Sequence, residues 1–437
     1  MHLLYSIALG LALLLSLPFW VLAMLRHGKY RAGLRARLGK VPDSLRPTPA
    51  LERCIWVHAV SVGEVLAVAP LVNRLGQKFS GTRIVVSTTT MTGQELARKR
   101  FGAENVFYFP LDFVFALRPY FQHLQPSLVI VAETEFWPNF LRLAQKCGAR
   151  VGVVNARISD RSFPRYRAFR GLLRGVLRNV DLFVAQSDLD ATRLKEIGAE
   201  PARVQVGGNL KFDAPSPPET GLPARLRTAM PASARILVCG STVEGEETLL
   251  VDAFQTLVKD HRELLLVLAP RHPERFQDVA DLLARRGVRF WRRSAWDGAP
   301  LSEGILLLDT IGELAGLYRI AHLAFVGGSL VPRGGHNVLE PAQFGVATLV
   351  GPHTENFREI VGAFERANAL LRVTPAQLAS TLRDWLEGRL DVDSVGKRAG
   401  EVYRANAGAV ERTLTALEVL MWMPETMRSG YQQQGSR

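Results

Sequence analysis

Cysteine is scarce in this chain, and the few cysteines present are not spaced for joint chemistry. Cys54, Cys147 and Cys239 are the only three in 437 residues; each lies beside an apolar run, and no C-x-x-C pair occurs. That excludes a disulfide framework and reads as buried free thiols in a reducing compartment. The nine histidines show neither H-x-x-x-H nor H-E-x-x-H spacing, so no zinc is indicated. Two short D-x-D patterns, Asp188 to Asp190 and Asp391 to Asp393, directly precede helical stretches, where N-capping accounts for them better than a divalent cation. Negative charge is also in deficit, with 41 Asp+Glu against 54 Lys+Arg, a net charge of +13. Such an excess suits acidic partners: nucleic acid, anionic lipid or a phosphorylated substrate. Composition does not choose among them.

Long apolar runs are lacking too, apart from one. Residues 3–25 carry no charge, and Arg26, Lys29, Arg31, Arg35, Arg37 and Lys40 follow at once. The run is long enough to span a bilayer, and charge after it rather than before it argues for an uncleaved anchor with the body on the cytoplasmic side. Pro18 and Gly10 leave open a helix lying in one leaflet. Beyond the anchor, apolar content of 47% and charge of 22% describe a globular chain too long for one ordinary core.

Apolar runs at 55–60, 83–87, 106–109, 128–132, 151–155, 182–185 and 204–206 alternate with helical periodicity such as Val65, Val68, Val72 and Leu75. This predicts βαβ units and a mainly parallel, doubly covered sheet. Residues 214–223 hold four prolines and a glycine, which predicts an interdomain linker. The alternation then restarts at 236–239, 264–269, 288–291, 305–308, 322–326 and 348–350, and a long helical stretch, 392–421, ends it. The division expected is a 1–40 anchor with basic flank, α/β domains at 41–213 and 224–425, and a polar tail at 426–437. Two α/β domains would face each other across a cleft with their strand C-terminal ends, where ligands of parallel sheets bind.

Strand ends therefore locate the candidate chemistry. Gly327-Gly328-Ser329, a second pair Gly334-Gly335, and the helical pattern opened by His336-Asn337 form a glycine-rich turn suited to a nucleotide phosphate, with an ordinary βα turn as the alternative. Glu340 lies three residues after Asn337, on the same helix face, where a carboxylate can accept from ribose hydroxyls. Glu64 falls in the first turn of a helix, as a general base or simply a favourable first-turn acid. Glu133 and Glu135 end another strand; alternation puts both on one side, and pattern alone does not say which faces the ligand. Lys211 and Arg271-His272 sit at similar mouths and can neutralise phosphate. Arg167, Arg170, Arg174 and Arg178 recur at helical spacing opposite Phe169, Leu172, Leu173, Val176 and Leu177, which suits a membrane surface, an anionic acceptor or a solvated helix packed on the sheet.

The runs HAVSVGE, STTTMTG, AETEFWPN, NARISDRS, GNLKFD, GST, APRHPERF, DTIGEL and GGSLVPRGGHNVLEPA, in this order behind an apolar N-terminus, resemble the 3-deoxy-D-manno-octulosonate (Kdo) transferase family of Gram-negative lipid A assembly. The resemblance implies a GT-B glycosyltransferase fold of two Rossmann-like domains, an acceptor domain followed by a donor domain. It implies inverting, metal-independent transfer of Kdo from CMP-Kdo to the tetraacyldisaccharide 1,4'-bisphosphate precursor of lipid A, with no cofactor and no nucleic-acid partner, at the cytoplasmic face of the inner membrane. By motif it assigns Glu64 as general base and Glu133 and Lys211 as transition-state stabilisers. It places CMP contacts at Pro270, Arg271, Gly312, Glu313, Leu314, Asn337, Val338, Leu339 and Glu340. An enzyme of the same fold using a UDP-sugar, and a membrane-tethered binding protein, are the alternatives.

Overall fold

The computed structural model describes residues 5–16, 33–45, 53–213 and 221–422. They form two compact units, one comprising 1–215 and 407–437 and the other 216–406. In the first unit, β1 (Arg53–His58), β2 (Thr82–Thr88), β3 (Val106–Tyr108), β4 (Pro126–Ala132), β5 (Arg150–Ala156), β6 (Leu182–Ala185) and β7 (Val204–Val206) form one parallel sheet ordered β3-β2-β1-β4-β5-β6-β7. In the second, β8 (Arg235–Thr242), β9 (Leu264–Pro270), β10 (Phe290–Arg292), β11 (Gly304–Leu307), β12 (Leu323–Val326), β13 (Thr348–Val350) and β14 (Leu371–Arg372) are parallel in the order β10-β11-β9-β8-β12-β13-β14. The sequence pattern missed only the two-residue β14, too short for any period to show.

Parallel strands need crossover helices, and these cover both faces. Hence β4, PSLVIVA, is apolar along nearly its whole length, and its last five residues are fully buried. One face of the first sheet carries an aromatic cluster in which Trp56 meets Phe140 edge-on at 4.8 Å and His58 stacks on Phe109 at 3.9 Å. Burial pushes the His58 imidazole down to about 3, so it is a neutral member of this core, 3.0 Å from the Ser87 hydroxyl. The first strand order reverses direction once, between β1 and β4; the second reverses between β8 and β12 and also at its edge, where β11 lies inside β10. Loops diverge at such switch points and leave a crevice.

Several expectations change. The stretch 392–421 is two helices, Val392–Asn406 and Ala409–Trp422, and the second belongs to the first unit rather than to the donor domain that was expected to reach residue 425. Its Leu417 packs over Gly152 of β5 so closely that a Cβ there would lie 2.9 Å from the leucine methyl. Asp213 fastens its start by accepting from the Gly408 and Val410 N–H groups at 2.6 and 2.5 Å. Cys147 is exposed, whereas Cys54 and Cys239 are buried as expected. The basic stretch breaks at Phe169 into helices Phe163–Ala168 and Arg170–Leu177, and its Phe169 and Leu172 face solvent instead of the sheet. The D-x-D aspartates engage in local bonding: Asp190 accepts from the Ser187 hydroxyl and the Ile158 N–H, and Asp391 accepts from Ser394.

Of the expected anchor, residues 5–16 form a helix, tied to the first unit by Asn139 Nδ2 donating to Ser6 Oγ at 3.0 Å. Residues 17–25 lie outside the described residues, as do linker residues 214–220 and the 426–437 tail. No helix among the described residues is long and apolar enough to cross a membrane.

Removing the Asp213 carboxylate leaves two backbone donors at the head of the last helix without partners. Asp213→Ala is expected to destabilise the first unit by about 1–3 kcal/mol in denaturant unfolding. An unchanged midpoint would show that the helix is held by its apolar face alone.

Candidate active site

The switch point of the first unit gathers acids. β1 runs out at His58, and Ser61 caps the helix Val62–Lys78, its hydroxyl oxygen accepting from the Glu64 N–H at 3.4 Å. The Glu64 carboxylate returns the contact, taking the Ser61 hydroxyl at 3.0 Å and the Val60 N–H at 2.8 Å. This is a variant of a capping box, with the return bonds made to the Ser61 hydroxyl and to the N–H one residue earlier, so the structural reading of a first-turn acid holds. It is not the whole account. Glu64 is buried, and burial pushes its carboxyl up to about 7, with the charges of Glu133 and Glu135 adding to the effect against the two hydrogen bonds. A carboxyl poised near neutrality suits a general base. The STTTMTG run braces it from β2: the Thr89 and Thr90 N–H groups donate to the Val60 carbonyl at 3.0 and 3.1 Å, and Thr90 caps the next helix.

β4 is the neighbour of β1 across the switch, and it delivers Glu133. This residue takes the left-handed conformation, φ 56°, which non-glycine residues seldom adopt, and its N–H donates to the Val154 carbonyl at 2.9 Å. The kink aims the carboxylate at Lys211, whose Nζ lies 3.8 Å away. Lys211 is placed by two asparagines. Asn155, itself left-handed at φ 53°, accepts from the Leu210 N–H at 3.0 Å, and Asn209 accepts from the Lys211 N–H at 3.0 Å. Thus Glu64, Glu133 and Lys211, spread over 147 residues of sequence, belong to one crevice. Glu135 joins them as a neighbouring charge, its own carboxyl pushed up by burial and by Glu133.

The second unit holds the other expected residues at the ends of its strands. Arg271 follows Pro270 at the end of β9, its N–H donating to the Thr242 carbonyl at 2.8 Å. Gly312 has φ 88° and turns the chain so that Glu313 meets the Arg293 guanidinium at 2.9 Å and the Thr310 hydroxyl. Asn337 accepts from the Leu339 N–H at 3.2 Å and donates to Glu340 at 3.4 Å. Burial raises the Glu340 carboxyl, opposed by Asn337 and by the Arg271 charge. Beside them burial, reinforced by Arg271 and His272, pushes His336 down to about 4. The Arg271 charge alone acts in favour of an anion at this place, lowering the Glu340 carboxyl against its burial.

The glycine-rich turn differs from expectation. Gly327 is required for close approach, since a Cβ there would lie 2.4 Å from the Ser241 carbonyl oxygen. The N–H groups of Gly328, Ser329 and Leu330 do not face an empty cradle: all three donate to Glu246, a residue the sequence reading passed over. The helix expected to open at His336-Asn337 is a four-residue turn, Leu339–Ala342. Asn155 has no role in the sequence pattern beyond ending a strand, since no period reports a φ; Asn209, the one place where GGNLKF departs from the family's usual small hydroxyl residue, still holds the Lys211 N–H.

The raised Glu64 carboxyl has a measurable sign. Its folded value of about 7 lies above the ordinary 4.5, so the folded state binds the extra proton and loses stability as pH rises from about 4.5 to 7. Glu64→Gln should therefore gain on the native protein in thermal unfolding above pH 7 and not below pH 4. In a carboxyl-carbon NMR titration, Glu133→Gln should lower the Glu64 midpoint; an unmoved midpoint would separate the two carboxylates.

Comparison with known proteins bears on the family and the fold. The family model for 3-deoxy-D-manno-octulosonic-acid transferase (kdotransferase) matches residues 32–214. A 3-deoxy-D-manno-octulosonic acid transferase of Haemophilus influenzae is 35% identical over 92% of this chain and 95% of its own length. That of Bordetella pertussis is 35% identical over 95% of this chain and 98% of its own. In fold, the chain is similar to a UDP-GlcNAc 2-epimerase from Neisseria meningitidis, with TM-score 0.54 at 14% identity over 84% of this chain and 99% of the other. Two parallel-sheet units of the GT-B kind, with similarity running nearly end to end, lead to one assignment: the chain belongs to the 3-deoxy-D-manno-octulosonic acid transferase family of glycosyltransferases.

Proposed function

We propose that the protein transfers Kdo from CMP-Kdo to the bisphosphorylated disaccharide precursor of lipid A, with inversion, in lipopolysaccharide biosynthesis. The observation that carries the mechanism is the Glu64 carboxyl, raised to about 7 beside Glu133 and Lys211. Glu64 takes the proton of the acceptor sugar hydroxyl as its oxygen attacks the anomeric carbon from the face opposite CMP. The new C–O bond forms as the bond to the CMP phosphate breaks, and the electron pair leaves with CMP. Glu133 faces the positive charge developing at the anomeric carbon, and Lys211 meets the negative charge developing on the leaving phosphate. Arg271 meets the departing phosphate, and Pro270, Gly312 to Leu314 and Asn337 to Glu340 hold the nucleotide. Family membership supports the donor and the order of motifs supports the residue roles.

The acceptor is a lipid, and the first unit has features to suit one. Phe115, Phe169 and Leu172 are exposed large apolar side chains, and the helix at 5–16 exposes Ile7, Leu11, Leu14 and Leu15. Arg167, Arg170 and Arg174 are exposed around Phe169 and Leu172. Apolar side chains set among arginines favour an anionic lipid surface. The reading includes an N-terminal anchor over residues 3–25 in the inner membrane, with both units on the cytoplasmic face.

Purified full-length protein given CMP-Kdo and tetraacyldisaccharide 1,4'-bisphosphate should yield a Kdo-bearing lipid by mass spectrometry, and turnover with UDP-sugars alone would overturn the reading. The rate should rise with pH through about 7, because the base works only when ionised. Glu64→Ala should lower turnover by about a hundredfold or more while CMP still binds. Deleting residues 1–25 should release a soluble body that remains active on detergent-dispersed acceptor; failure to fold would make the segment part of the core.

A further inference from the structure

Glu246 is fully buried at the switch point of the second unit, at the start of the helix Glu246–Leu257 that follows β8. Each carboxylate oxygen accepts two backbone N–H groups. Oε2 takes Gly328 at 2.7 Å and Val243 at 3.1 Å, and Oε1 takes Ser329 at 2.9 Å and Leu330 at 2.8 Å. A run of successive backbone N–H groups converging on an anion is the arrangement glycine-rich loops use to hold phosphate. Here the protein supplies the anion from its own chain.

The contact is passed on to the residues proposed to hold the nucleotide. The Gly328 carbonyl accepts from the Gly335 N–H at 2.7 Å, two residues before Asn337, and the His336 ring rests against Gly328, where a Cβ would lie 2.9 Å from it. On the other side Ser329 accepts from the Gly351 N–H through its hydroxyl at 2.9 Å and from the His353 N–H through its carbonyl at 2.9 Å. One carboxylate thus fixes the turn on which residues 335–340 are mounted.

We infer that Glu246 is a positioning residue of the donor site: it fills the Gly328–Leu330 nest as an internal anion, so that the donor phosphate is excluded from the first glycine pair and is received beside Arg271 and the 335–340 segment. The inference rests on the nucleotide-donor reading above. It also makes an unusual demand on substitution. Glutamine, though isosteric, would turn an NH2 group toward two N–H donors and should fail as alanine does.

The test uses the full chain. In Glu246→Ala and Glu246→Gln, the CMP dissociation constant and the donor KM should both rise about tenfold or more, with the acceptor KM unchanged. Formate should restore donor affinity to Glu246→Ala, where it can enter the vacated nest, and not to Glu246→Gln. Hydrogen exchange on the native protein covers the case in which neither variant folds: the amides of 328–330 should be protected without nucleotide. Free exchange of those amides until CMP binds, or CMP affinity in Glu246→Ala equal to that of the native protein, would overturn the inference. A native protein that ignores CMP but binds a UDP-sugar would instead remove the donor reading and leave the amide protection to decide the role of Glu246.

Discussion

A carboxylate taken out of water at the end of a parallel sheet must be met by hydrogen-bond donors, and the nearest are backbone N–H groups of the adjoining turn. Both units are built around that constraint. In the first, Glu64 is met by Val60 and Ser61, two donors to two oxygens, and the remaining capacity of the carboxylate is what leaves it chemically usable. In the second, Glu246 is met by four N–H groups and nothing is left over. Two acids at matching places in matching sheets thus differ in purpose through the number of donors each meets.

The backbone is bent where it serves these sites. Glu133, Asn155 and Ser241 each take the left-handed conformation without being glycine, and all three stand within or just beyond the C-terminal ends of the central strands β4, β5 and β8. Each such residue is held at a cost of about 1 kcal/mol or more, which a rigid sheet can sustain and a free loop cannot. Glu133 reaches Lys211 and Asn155 reaches Leu210 because of that bend. The buried strands behind them, fully apolar from Leu128 to Ala132 apart from the backbone, supply the rigidity.

Much of this was legible in the sequence. Thirteen of the fourteen strands among the described residues coincide with apolar runs, and the central ones, buried on both faces, write themselves as continuous Val, Ile and Leu. The order of motifs exposed the family; position put Glu64, Glu133 and Lys211 at strand mouths, but it did not separate Glu64 from an ordinary first-turn acid or Glu133 from Glu135, and only the resemblance assigns them roles. Other features were hidden for physical reasons. Glu246 follows a glycine in a charged run, GEE, and looks like an ordinary first-turn acid; its meaning lies in Gly328 to Leu330, some eighty residues away. Phe169 and Leu172 carry the right period for a buried helix face, but a break at Phe169 turns them outward. The absence of a strand after the last helical stretch allows it to pack across the domain boundary, but no local pattern records that Asp213 caps its second half and so fixes that half to the first unit.

That last helix has a consequence for how the protein is made. Ala409–Trp422 covers the first sheet with Val410, Leu414, Leu417 and Leu420, packed among residues such as Ile55, Leu71 and Leu128. During synthesis the first unit emerges early, yet the part of this sheet face that the helix Val62–Lys78 does not cover stays open until the whole of the second unit has been translated. At ribosomal speeds of about 5–20 residues per second, the roughly two hundred intervening residues impose a wait of about 10–40 seconds. Over that interval the apolar patch that Val410, Leu414, Leu417 and Leu420 later cover must be shielded by a chaperone or by transient collapse, and a chain that stopped before Ala409 would leave it uncovered.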